Sequence, residues 1–219
     1  MPEMPGMGGM PGMDGASDAR VAGAADGAMA HEKLEMGLHM KMTAPRPRTA
    51  GDERRADSIV QTLRGAIARY RDYHAAVADG FVQFLPKVRQ PMYHFTNYRY
   101  AVKASFGFDP ARPTSLLYKP TPGGFELVGV MYTAPRRFDE DQLDRRVPLS
   151  VAAWHQHVNL CMPPWFGYAK ADWHRFGLNG TIATASECRA SGGIFHPVVL
   201  GWMVHVYPFE QDPAKIWAH

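Results

Sequence analysis

"VPLSVAAWHQHVNLCM" (147–162) decides how this chain is read, because its alternation fits a strand and its polar positions are of one chemical kind. In extended backbone, alternate residues share a face. Trp154, Gln156, Val158 and Leu160 then fall on one side, with His155, His157, Asn159 and Cys161 on the other. The first is a core face. The second carries only metal-capable or hydrogen-bonding groups.

Working outward, "VLGWMVHVYPFE" (199–210) divides in the same way, with Trp202, Val204 and Val206 apolar and Met203, His205 and Tyr207 opposite. "TSLLYK" (114–119) and "FELVGVMYT" (125–133) read as two strands joined by the turn "PTPGG". "TAGDERRADSIVQTLRGAIARYRDYHAAVADGF" (49–81) has the spacing of one amphipathic helix capped at Thr49 and stopped at Gly80. Its stripe is Ile59, Leu63, Ile67, Tyr70, His74, Val77 and Phe81, which makes His74 a core histidine. Shorter helices are predicted in "NYRYAVKASF" (97–106), "RRFDEDQLDRR" (136–146) and "TIATASECRAS" (181–191). The class is α+β: a mainly antiparallel sheet, or small barrel-like β body, with a long N-terminal helix.

Residues 1–50 are rich in Met, Gly, Ala and Pro, a composition that buries too little apolar surface to offset ordering entropy. The reading is a flexible tail over 1–50 and a single domain over 51–219. A net charge of +3 without a long basic block argues against a nucleic-acid partner. No run of residues reaches the roughly 18 apolar positions of a membrane span. G-x-S-x-G, H-E-x-x-H and C-x-x-C are all absent from the sequence.

Two imidazoles two residues apart on one strand converge readily on a single ion. His155, His157 and His205 are therefore the candidate metal centre, with His196 in "GGIFHP" (192–197) or Cys161 as fourth ligand. Cys161 and Cys188 equally suit a disulfide, and that pairing is favoured. His94 in "MYHFTN" reaches the same centre or packs among its aromatic neighbours, and the residues leave both open. Neutral imidazole suits copper, zinc or iron.

The H-x-H strand "WHQH" with the later "MVH" resembles the cupins, β-barrels that hold one metal ion. Where cupins carry glycine and glutamate, this chain has Leu149, Cys161 and Met162. The tail resembles the Met-rich segments of periplasmic copper-handling proteins. Its methionines fall at 1, 4, 7, 10 and 13, and "HEKLEMGLHMKM" (31–42) adds His39, Met40 and Met42 as ligands. A three-residue period would align thioethers along one edge of a polyproline-like chain. The resemblance implies Cu(I) capture or delivery by the tail, a periplasmic or secreted location, and a metal-donor or acceptor protein as partner. The rival expectations are a mononuclear oxidoreductase, with Tyr132, Tyr207 or Glu126 beside the ion, and an interaction module without metal.

Overall fold

A computed structural model describes residues 37–86 and 90–218, and the tail methionines read above as copper ligands up to Met36 lie outside those residues. The architecture is mixed α+β on one seven-stranded antiparallel sheet. The strands are β1 (Met40–Met42), β2 (Val82–Gln83), β3 (Tyr93–Thr96), β4 (Ser115–Thr121), β5 (Gly124–Ala134), β6 (His155–Met162) and β7 (Ile194–Val206). Their spatial order is β1-β6-β7-β5-β4-β3-β2, an open ladder with β1 and β2 at its two ends.

The long helix begins where the sequence places it. Thr49 caps α1 (Ala50–Ile67): its hydroxyl accepts from Asp52 N, and the Asp52 carboxylate accepts from Thr49 N. Ala56, Ile59, Val60, Leu63 and Ile67 form the buried stripe. They share one core with Leu116, Tyr118, Val130, Trp154, Trp202 and Val204 from the sheet. The helix does not run through to Gly80. A 3-10 turn at Ala68–Arg71 is followed by a new cap at Asp72, and α2 (Tyr73–Ala78) restarts in another phase. Ala76 is thereby turned inward, and His74, expected in the core, is exposed.

Three further expectations change. The strand expected over 147–162 begins only at His155. Pro148 starts a turn, its carbonyl accepting from the N–H groups of Val151 and Ala152. Met40–Met42, assigned to the tail, is an edge strand on β6, so the folded body reaches back before residue 51. Composition argued against order there, but backbone pairing supplies it. Finally, β7 starts at Ile194 and includes His196. The remaining helices are α3 (Tyr98–Ala104), α4 (Glu140–Asp144), α5 (Ala185–Ala190) and α6 (Pro213–Ile216).

Two irregularities shape the sheet. Leu117 pairs with Gly129 but Tyr118 with Leu127, which leaves Val128 as an extra residue in β5. On β7, His155 pairs with Met203 and His157 with Val199, so two extra residues are taken up around Leu200 and Gly201. Bulges bend a strand and increase its twist. Leu200 has a φ of 63°, and a Cβ on Gly201 would lie 2.1 Å from the Ala134 carbonyl oxygen. Gly201→Ala should therefore cost about 2 kcal/mol or more in chemical denaturation. Gly123→Ala, with nothing within 4 Å of the added carbon, should change stability little.

Candidate metal centre

Residues directly opposite one another in an antiparallel ladder share a face. The face turned away from α1 can therefore be followed strand by strand. Met42 on β1 is opposite His155 on β6, and His155 is opposite Met203 on β7. On one side of that rung Met40 is opposite His157, and on the other side His205 is opposite Met131 on β5. The row Met42–His155–Met203 thus alternates methionine and histidine over three neighbouring strands and ends on Thr133 of β5. His94 on β3 is opposite Leu117 on the same side.

The imidazoles converge. Ring centres lie 5.1 Å apart for His155 and His205, and 5.5 Å for His155 and His157. The His94 ring is 5.9 Å from that of His205 although three ladder steps separate β3 from β7. At about 4.8 Å per step a flat sheet would hold these strands some 14 Å apart, so this face is concave. Four nitrogens sharing one ion tetrahedrally at about 2.0 Å would put ring centres about 5 Å apart. Three of the six pairs among these rings have spacings within an ångström of that, in the chain His157–His155–His205–His94. Among the described residues no group of three or more His, Cys, Asp or Glu is arranged so that it could hold a metal ion as it stands.

Burial is uneven across this face: His94, His157 and His205 are half-buried. His155 is 1% exposed, Met203 3% and Met131 7%. Leu117, Met92, Val128 and Tyr207 pack beside the methionines. Gly129 is required here: a Cβ would stand 2.8 Å from the Tyr207 ring and 2.7 Å from the Val206 carbonyl oxygen. Burial, and secondarily the charge of His157, holds the His94 imidazole well below its ordinary range, at about 4. Burial, with the charge of His39 second, also lowers His157, and burial pushes the Tyr207 phenol up. Neutral rings are the metal-binding form. His157 Nδ1 is shielded from solvent with no hydrogen-bond partner among the described residues, a costly arrangement for a polar atom unless a ligand satisfies it.

The sequence candidates separate into two groups. His155, His157 and His205 come together, and Met40 and Met42 fall beside the first two. His196 does not join them: it is solvent-exposed, paired with Leu160, and nine strand residues from His205, roughly 25 Å away. Cys161 is bonded to Cys188 in the buried cluster with Phe176 and Ile182, which removes it as a thiolate ligand. His39 is 1% exposed, with Nδ1 3.0 Å from the Asn159 carbonyl oxygen and Nε2 2.7 Å from that of Gly180. Both nitrogens face acceptors, so His39 anchors the chain ahead of β1 rather than an ion. Of the residues expected beside the ion in an enzyme, Tyr207 is on this face, 6.4 Å ring to ring from His205. Tyr132 is in the core, its hydroxyl donating to Pro110 O, and Glu126 is exposed. The structure adds His94, Met92, Met131 and Met203. Parity had already put Met203 beside His205, whereas His94 is brought in by curvature alone.

Comparisons with protein-family models, with curated proteins and with solved structures each returned no match.

The depressed His94 gives a signed pH dependence. Its unfolded form takes a proton near 6.5 and its folded form only near 4, so the unfolded chain binds more protons in that window. Stability is then lost as pH falls from 6.5 to about 4. In metal-free protein, His94→Leu should lessen that acid loss by roughly 2 kcal/mol, measured by urea unfolding at pH 7.5 and 4.5.

Proposed function

We propose that this is an extracytoplasmic metal-binding protein, with copper the favoured ion, whose centre is His155, His157 and His205 joined by His94. The observation that carries the reading is the run of neighbouring imidazoles, each 5.1 to 5.9 Å from the next, on one concave sheet face. Zinc and iron also accept imidazole, but the methionines on both sides of the rings favour a softer ion. The Cys161–Cys188 bond is in keeping with an oxidising compartment.

Met42, 40% exposed on the edge strand, is the solvent-side end of the row that leads through His155 to Met203. In this reading, the Met-rich N-terminal segment collects Cu(I) and passes it to Met42 and Met40. These hand it to the histidines, and a donor or acceptor protein would exchange copper at the same edge.

Elemental analysis of untagged protein after dialysis against a weak chelator tests the reading. Wild type should retain copper, and His155→Ala with His157→Ala should lose one equivalent. Unchanged metal content in the double variant contradicts the centre. Deleting residues 1–36 should remove the additional copper while leaving that equivalent in place.

A further inference from the structure

We infer that the thioethers of Met131 and Met203 are themselves ligands, making the centre a mixed His/Met site specific for Cu(I); this rests on the metal-centre reading above. Four methionines follow residue 43, and three of them, Met92, Met131 and Met203, are in the small cluster on the histidine face. Methionine is a common gap-filler in cores. Ordinary filling would not require that it be concentrated here. Met203 is directly opposite His155, and Met131 directly opposite His205, a relation that puts Cβ atoms about 5 Å apart. Met203 and His205 are also alternate residues of one strand. Each sulfur is therefore the lateral neighbour of an imidazole, on the side away from Met40 and Met42.

Charge selects the oxidation state. A set of neutral imidazoles and thioethers supplies no negative charge, and His155, Met131 and Met203 are buried. The cost of burying an ion rises with the square of its charge, so a monovalent ion is far cheaper to hold than Cu(II) or Zn(II). Thioether sulfur is soft, carries no proton to displace, and prefers Cu(I). The outer methionines then serve entry and the inner pair retention.

The test is anaerobic competition of the full-length chain against a chromophoric Cu(I) chelator at one equivalent of copper, with parallel Zn(II) and Cu(II) titrations. Met131→Leu with Met203→Leu should weaken Cu(I) binding tenfold or more while Zn(II) and Cu(II) affinities stay within twofold. The potential of the bound copper should fall by about 60 mV. Met162→Leu is the control and should leave Cu(I) affinity unchanged. If the double variant fails to fold, each single substitution should still weaken Cu(I) binding severalfold. Unaltered Cu(I) affinity in folded variants overturns the inference while leaving the histidine centre standing. Wild-type protein that takes up no metal at the body overturns both.

Discussion

The register of β6 against β7, with His155 opposite Met203, is the constraint on which the rest of the far sheet face depends. Because side chains alternate at every residue, a one-residue slip would exchange this face for the core face and bring Gln156 to the place of His155. The register is held from the other side. Trp154, Trp202 and Val204 are buried in the main core with the α1 stripe, and that apolar anchoring leaves the histidines one orientation. The core is what orders the site. The bulges at Val128 and around Gly201 then bend β5 and β7, and the resulting concavity lets a flat array of side chains converge.

The far face combines features that oppose one another in an ordinary protein. Buried imidazoles lose hydration, and burial drives His94 and His157 toward the neutral form. Neutral rings in an apolar surround contribute little to folding by themselves, and an orphaned Nδ1 on His157 detracts from it. An ion that bound only the folded state would reverse that balance by mass action. Tyr207 packs against Gly129, and Leu117 is buried in one cluster with Met131 and Met203. The disulfide ties the far end of β6 to α5 and is remote from the rings, so it steadies the strand without entering the site.

Much of this was legible in the chain because it is periodic. The α1 stripe, the capping box at Thr49, the β4–β5 hairpin and the parity of 154–160 and 202–207 all follow from local rules. What escaped was set by irregular backbone. The new cap at Asp72 rephased the helix and exposed His74, and the turn at Pro148 shortened a strand. His196 looked near because two glycines precede it, yet strand length carries it away. Met40 and Met42, tail residues by composition, are ordered by pairing with a strand over a hundred positions later and by the anchor at His39. His94 comes beside His205 through sheet curvature, which no spacing rule encodes.

The most direct measurement is an NMR titration of full-length protein with Cu(I) under anaerobic conditions, following the imidazole nitrogens and the methionine methyl groups together. The ring resonances of His155, His157, His205 and His94 should shift in concert and saturate at one equivalent, before the methionine methyls of residues 1–36 respond. Ring resonances that stay still while the tail methyls shift would contradict the account.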